Sequence, residues 1–385
     1  MPKLVALDLA GGAAFKEALQ RVWDAGDVAL PVDQRLPVAA RAALLDALRP
    51  DEVVDDGPTE RRRLDHASGT RAVLPALQPG DVLVVATSGT TGAPKGVVHT
   101  RAGVMAHAEA VHARLSVDPG SDRWLACLPL GHIGGLGVVI RSLVTGTPVD
   151  VVPGFVAADV VAAPDRLGTT LTSLVTTALD RIDPSRFRWI VLGGSADPHA
   201  ETRPANVVAT YGSTETGGGV VYGGEPLPGV EVRIDADGAI SLRGPSLLRS
   251  YRDGTVPLVD GWLPTGDLGE WAPDGRLVVH GRADDVIVTG GENVWPEPVE
   301  AALRSHPAVV DVAVAGRPDP EWGQVVVAWI VSTDPAAPPA LDDLRDHVKA
   351  TLPTYCAPRS GVVVEALPRT ALGKLRRAAL PPAPG

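Results

Sequence analysis

From Asp81 onward the chain alternates short apolar runs with segments of helical period, and few folds satisfy that alternation. Residues 81–86, 124–128, 149–152, 170–175, 189–192 and 206–210 are apolar and of strand length. Residues 100–115 and 133–144, lying between them, space their apolar side chains as a helix does. Strands alternating with helices predict a layered α/β domain, because each helix must bury its apolar stripe on a sheet face. The first 80 residues read as helices at 13–23 and 38–48 joined by loops, with 50–63 as a charged, exposed connection.

The pattern changes after residue 229. Residues 230–234 and 239–243 flank Asp235-Ala236-Asp237-Gly238 and predict a hairpin, and a second hairpin brackets Pro273-Asp274-Gly275. Beyond Gly281-Arg282 the pattern restarts: strand 286–289, helix 297–305, strands 309–315 and 325–331, helix 341–352 and strand 361–364. The 385 residues exceed one average domain. The expected fold class is therefore α/β. A large layered N-terminal domain (1–281) leads through a hinge (282–285) to a small, mobile α+β C-terminal domain (286–385).

Charge narrows the function classes. The net charge is −11, and Arg61-Arg62-Arg63 and Arg376-Arg377 are the only basic clusters. Nucleic-acid binding needs concentrated positive charge, so no nucleic-acid partner is expected. No membrane span is expected either, since glycines and Arg141 interrupt the best apolar run, 133–144. Two cysteines, Cys127 and Cys356, and no charged leader followed by a long apolar run suggest a cytoplasmic protein. Only five of 35 basic residues are lysines: Lys3, Lys16, Lys95, Lys349 and Lys374. A lysine kept in an arginine-rich chain hints at a position where the planar guanidinium fails.

Two of those lysines fall in motifs that carry chemistry. Thr87-Ser88-Gly89-Thr90-Thr91-Gly92-Ala93-Pro94-Lys95-Gly96 reads as a loop between a strand and a helix. Such a loop offers backbone N–H groups, hydroxyls and a lysine charge to a phosphate. Pro94 before the lysine, and the lack of a Gly-Lys-Ser/Thr ending, exclude a Walker A loop.

This loop resembles the signature of the adenylate-forming superfamily of acyl-CoA synthetases, adenylation domains and luciferases. Four further segments match in order. Tyr211-Gly212-Ser213-Thr214-Glu215-Thr216 is similar to the adenine and metal segment. The resemblance implies that Tyr211 stacks on adenine, Thr214 meets phosphate and Glu215 holds Mg²⁺, for which a carboxylate oxygen is a suitable hard ligand. Thr265-Gly266-Asp267-Leu268-Gly269 is similar to the ribose segment, with Asp267 accepting from both hydroxyls. Gly281-Arg282-Ala283-Asp284-Asp285 resembles the hinge, with Arg282 on the nucleotide and Asp284 as pivot. Pro368-Arg369-Thr370-Ala371-Leu372-Gly373-Lys374 resembles the catalytic loop, which makes Lys374 the adenylation lysine.

The implied cofactors are ATP, Mg²⁺ and coenzyme A. The implied nucleotide contacts are Thr87, Ser88, Gly89, Thr90, Thr91, Gly92 and Lys95, then Gly193, Gly194 and Ser195, then Tyr211, Gly212 and Ser213, and finally Asp267 and Arg282. After adenylation the small domain would turn about the hinge, exchanging Lys374 for Gly290-Gly291-Glu292-Asn293 and admitting the thiol. A homodimer is one option that the resemblance implies, with no seam in the sequence to assign it to.

The acid is read from Leu128 to Leu143. Relatives that activate α-amino acids place an aspartate where this chain has His132, so the partner is a small-molecule carboxylic acid without an α-amino group. Arg141 sits in an apolar run, where an unpaired guanidinium is costly. It pairs either with an internal carboxylate such as Asp150 or Asp159, or with a second carboxylate on the substrate. The whole stretch, with the segment 211–222, is similar to the o-succinylbenzoate–CoA ligase family of menaquinone biosynthesis, in its compact actinobacterial form. That likeness implies a dicarboxylic aromatic substrate met by His132, Arg141, Thr177 and Gly217, with His132, Thr214, Glu215 and Lys374 catalytic. A different aryl- or acyl-CoA ligase, or an idle acyl-adenylate-binding protein, stands as the alternative. Val286-Ile287-Val288 departs from the family in lacking the lysine many relatives carry after the hinge, and Thr176 replaces a common proline in the loop that lines the acyl pocket, which bears on the acid.

Overall fold

The computed structural model describes residues 1–55, 61–64, 74–88, 94–194, 202–369 and 375–383. Their contacts divide them into two compact units. One comprises Met1–Arg233, Ser241–Pro264 and Pro273–Leu277, and the other Ile234–Ile240, Thr265–Ala272 and Val278–Gly385.

The first unit begins with β1 (Leu4–Asp8), α1 (Ala13–Asp24), β2 (Val28–Pro31), α2 (Val38–Leu48), β3 (Glu52–Asp55) and β4 (Arg62–Arg63). Next come β5 (Asp81–Ser88), β6 (Pro94–Thr100), α3 (Arg101–Leu115), β7 (Trp124–Ala126), α4 (Ile133–Thr145) and β8 (Val149–Val151). The run continues through α5 (Ala157–Leu167), β9 (Leu171–Leu174), α6 (Thr176–Leu179), β10 (Trp189–Leu192), β11 (Val207–Ser213), β12 (Gly218–Tyr222) and β13 (Glu225–Pro226). The hairpin strands β14 (Glu231–Ile234) and β15 (Ala239–Arg243), and, after the short β16 (Ser250–Tyr251), the second hairpin of β17 (Leu263–Trp271) and β18 (Leu277–Arg282), have residues in both units.

Two seven-stranded sheets dominate this unit, in the orders β16-β6-β5-β2-β1-β3-β4 and β13-β12-β11-β10-β9-β7-β8. In the second sheet β11, β10, β9, β7 and β8 are successive parallel neighbours. The largest apolar cluster joins Phe15, Leu19 and Trp23 of α1, Val111 and Leu115 of α3 and Leu136 to Ile140 of α4 to residues of both sheets. Helix α4 is buried at every residue from Gly135 to Ser142. A helix apolar on all sides belongs inside a domain, and its glycines let it sit close. A Cβ at Gly135 would lie 2.5 Å from the carbonyl oxygens of both Leu128 and Pro129, so the helix rests directly on the backbone leaving β7.

The second unit carries β19 (Ile287–Thr289), β20 (Glu292–Val294), α7 (Pro296–Arg304), β21 (Val309–Asp319), β22 (Gly323–Ser332), α8 (Leu341–Lys349) and β23 (Ser360–Val363). The sheet order is β20-β19-β22-β21, with β23 parallel to β22. Val299 and Leu303 of α7 and Leu344 and Val348 of α8 pack on Val312, Val314 and Ile330.

The expected helices and later strands are present, and three early readings are corrected. The first 80 residues contain four strands besides their helices. Leu4–Asp8 and Val28–Pro31 are apolar without alternation because both their faces are covered, and such runs lack the period-2 signal. The connection 50–63 is partly sheet, with Glu52 and Val53 buried in β3. Third, segment 87–96 does not join a strand to a helix. Its ends belong to an antiparallel pair, Thr87 opposite Lys95, and α3 starts only at Arg101, where the Thr100 hydroxyl accepts from the Gly103 N–H.

We expect Gly135→Ala to destabilise the protein by about 1–3 kcal/mol, the usual cost of overpacking a close backbone contact. Urea unfolding measures it; an unchanged midpoint would mean α4 can lift away freely.

Candidate functional site

Parallel strands send their carboxyl ends the same way, and ligands in open α/β sheets bind beyond those ends. Beyond β7 comes His132, beyond β9 Thr177, beyond β10 Gly193 and Gly194, and at the end of β11 the run Tyr211 to Glu215. Four neighbouring strands thus bring residues separated by up to 83 positions, from His132 to Glu215, to one edge of the sheet.

The turn from β11 to β12 is held from within and from behind. Thr216 is fully buried; its hydroxyl accepts from the Ser213 N–H at 2.8 Å and lies 2.6 Å from the Gly218 carbonyl oxygen. A Cβ at Gly212 would stand 2.2 Å from that same oxygen, so only glycine fits there. From β6, His99 Nε2 donates to the Thr214 carbonyl at 2.8 Å. From α3, His107 Nε2 donates to the Gly219 carbonyl at 2.9 Å. Gly217, at φ +78°, lines a small cavity with His99, His107, Ile133, Gly137 and Ser246.

Glu215 is half-buried and accepts from the Tyr251 hydroxyl at 3.0 Å. The Lys95 ammonium stands 5.3 Å from the centre of the Tyr251 ring, within cation–π range. Burial, then the Glu215 charge and hydrogen bond, push the Tyr251 phenol well up, so it stays a donor. Tyr251 therefore links two residues taken from separate motifs. Mg²⁺ commonly binds through one or two carboxylates together with substrate phosphates. Among the described residues no cluster of three metal-ligating side chains occurs, and Glu215 fits that sparse donor set.

His132 is the N-cap of α4, and its Nε2 lies 2.7 Å from Asp33 Oδ2. Asp33 also takes a two-pronged contact from the Arg35 guanidinium. Burial alone would raise the Asp33 carboxyl, but the hydrogen bonds from His132 and Arg35 and the Arg35 charge hold it well below the usual carboxylate range.

Arg141 is 4 % exposed. Its expected internal partners are engaged elsewhere: Asp150 with Arg123 at 3.2 Å, and Asp159 with Arg166 at 3.7 Å. Those pairings are therefore corrected, because both carboxylates lie nearer other arginines. Arg141 instead sits 4.8 Å from the Trp124 ring centre and 3.5 Å from the Ser173 hydroxyl. Its Nε and the buried Tyr222 hydroxyl have no hydrogen-bond partner among the described residues.

The second unit holds the other assigned residues. Arg282 Nη1 donates to the Thr265 carbonyl at 2.7 Å and lies 3.4 Å from Asp267 Oδ1. Gly266, at φ +73°, leaves room for that guanidinium. Asp284 lies in a 3-10 turn, and Gly290 and Gly291 turn between β19 and β20 with positive φ. Arg377 contacts Glu300 at 2.7 Å, Glu297 at 3.5 Å and Asp285 at 3.8 Å. Gly89, Thr90, Thr91, Gly92, Ser195 and Lys374 lie outside the described residues. Asp33, His99, His107 and Tyr251 carry no local sequence signal; only the fold reveals their contacts.

The family model described as AMP-binding enzyme matches residues 4–252, and that of the AMP-binding enzyme C-terminal domain matches 298–374. A probable 2-succinylbenzoate–CoA ligase of Mycobacterium tuberculosis H37Rv is 41% identical, over 96% of this chain and 94% of its own. The 2-succinylbenzoate–CoA ligase of Bacillus subtilis 168 is 34% identical, over 76% of this chain and 66% of its own. Among solved structures, o-succinylbenzoate CoA synthetase from Bacillus subtilis in complex with its acyl-adenylate intermediate has a TM-score of 0.85 at 28% identity, covering 98% of this chain and 87% of that one. The same enzyme with ATP and magnesium ion scores 0.84, also at 28% identity, covering 98% and 89%. No helix among the described residues is long and apolar enough to cross a membrane.

Burial lowers the pKa of His99, His107 and His112 from 6.5 to about 4, and the Arg141 charge adds to this at the last two. The unfolded chain binds these protons as pH falls through 6.5, whereas the folded chain resists until about 4. Stability should therefore decline across that window, by up to about 1.4 kcal/mol per pH unit for each histidine. Urea midpoints at pH 7, 6 and 5 test this; a flat series would show that the histidines are not held neutral.

Proposed function

The chain belongs to the AMP-binding enzyme family, and on that footing we propose that it ligates o-succinylbenzoate to coenzyme A at the expense of ATP. It is an AMP-forming acid–thiol ligase. In the first step a carboxylate oxygen of the acid attacks the α-phosphorus of ATP, forming the acyl-adenylate and releasing pyrophosphate. In the second the sulfur of coenzyme A attacks the acyl carbon, and AMP leaves.

The observation that carries the choice of acid is Arg141. A buried guanidinium with no carboxylate partner among the described residues calls for an anion, and an acid bearing a second carboxylate supplies one. Thr177 and Gly217 are assigned to the same pocket.

For the nucleotide, we assign the loop 87–95 to the phosphates, Gly193, Gly194 and Ser195 to the nucleotide, and Tyr211 to adenine. Gly212 and Ser213 lie beside it, Thr214 meets phosphate, and Asp267 and Arg282 serve the ribose and nucleotide. Mg²⁺ held by Glu215 would neutralise phosphate charge. Lys374 stabilises the charge that develops between acyl carboxylate and α-phosphate. We assign 282–285 as the hinge with Asp284 as pivot, and Gly290 and Gly291 to the thiol-transfer state. The reaction is placed in the cytoplasm, consistent with two free, buried cysteines.

Lys374→Ala should abolish acid-dependent ATP–pyrophosphate exchange while slowing thioester formation from supplied acyl-adenylate far less; equal losses would remove the role given to that lysine. Arg141→Met, which keeps the packing on Trp124, should raise KM for o-succinylbenzoate about tenfold or more, the worth of a charged hydrogen bond. KM for a simple benzoate should hardly move. A panel of acids followed by AMP release decides the substrate, and preference for benzoates or fatty acids would refute this choice.

A further inference from the structure

The contact between Asp33 and His132 joins residues 99 positions apart, and it is built rather than incidental. Asp33 follows β2 and is 5 % exposed. Its two oxygens are filled by His132 Nε2 at 2.7 Å and by the Arg35 N–H, Nε and Nη2 at 2.8–3.0 Å. A Cβ at Gly131 would lie 2.7 Å from both the backbone N and the Cβ of Asp33, so the two backbones touch beside the hydrogen bond. No long, pliable side chain sets the geometry.

The chemistry is one-sided. An ionised carboxylate only accepts, so the ring nitrogen facing it must carry a proton. That fixes the tautomer: Nε2 is the N–H, and Nδ1 is the nitrogen left over. Among the described residues Nδ1 has no partner, and the side chain is 28 % exposed. Arg35 neutralises the carboxylate from the other side, and Asp8, the next acid along, is taken by Gln34 and Arg41.

We propose that Asp33 is a positioning residue for the ligase reaction. It holds the His132 ring by Nε2 and leaves Nδ1 as the only face the histidine offers to the acid being activated. The proposal rests on the reading that His132 meets that acid. His132 at the cap of a buried helix cannot reorient by moving its backbone, so the ring rotation and the proton position are what remain to be set, and Asp33 sets both.

The experiment measures acid-dependent ATP–pyrophosphate exchange, thioester formation from supplied acyl-adenylate, and urea unfolding for Asp33→Asn, Asp33→Glu, His132→Asn and the double variant Asp33→Asn/His132→Asn. The acid is whichever one the wild-type enzyme turns over best. Asp33→Asn should lower kcat for exchange by on the order of tenfold or more, as misplacing a reacting group does, with a smaller change in KM. Asp33→Glu, which keeps an acceptor and its charge, should recover part of the lost kcat, and it serves if the asparagine variant folds poorly. In the His132→Asn background, Asp33→Asn should add less than twofold. Multiplying effects, a loss confined to KM, or equal loss of both half-reactions would overturn the proposal. If His132→Asn itself leaves exchange unchanged, the reading of His132 fails and this proposal with it. An important His132 with a silent Asp33 sinks only the latter.

Discussion

Parallel pairing of β7, β9, β10 and β11 is the constraint from which the candidate site follows. A parallel neighbour can be reached only by a crossover that returns the chain to the opposite end of the sheet. Each strand then ends on the same edge, and the chain leaves the ladder there. Those exits are where His132, Thr177, Gly193 and the run from Tyr211 to Glu215 lie. Their residue types suit the place: glycines that let backbones approach, hydroxyls and carboxylates that face water or ligand. The apolar runs behind them carry no chemistry and fix the edge in space.

The second requirement is that polar backbone leaving the sheet be satisfied without water. The turn 211–219 solves it with one donor of its own, the Thr216 hydroxyl, and two brought from elsewhere, His99 from β6 and His107 from α3. Each buried imidazole donates one N–H to a carbonyl and is kept neutral by its surroundings, so the turn gains donors without gaining charge. Arg141 is the contrasting case. It remains a buried charge with aromatic and hydroxyl neighbours, and such a group earns its desolvation only through a ligand or a function.

Much of this was legible in the sequence because the chemistry sits in short linear motifs and the later elements have clear periods. Helices 38–48 and 133–144 and strand 189–192 were readable to within a residue or two. The early strands were not, since a run such as Val28–Pro31, covered on both faces, has no period to read. The loop 87–96 misled because a glycine- and hydroxyl-rich segment after a strand looks the same whether a helix or an antiparallel strand follows. Tertiary partners were invisible for a simpler reason. Asp33, Tyr251, His99 and His107 lie 36 to 115 residues from the site residues they hold, His132, Glu215, Thr214 and Gly219, and nothing local marks those contacts.

The burial of α4 on all sides has a further consequence, which concerns how the molecule opens. Segments open locally when few buried contacts hold them, and those packed throughout a core exchange their amides only when the whole unit unfolds. Gly135 to Ser142 belong to the second kind, and His132 caps that helix. The histidine is thus mounted on one of the last parts of its unit to let go. Mild heat or denaturant would leave its placement intact while looser parts fray, then abolish it in one cooperative event rather than by degrees.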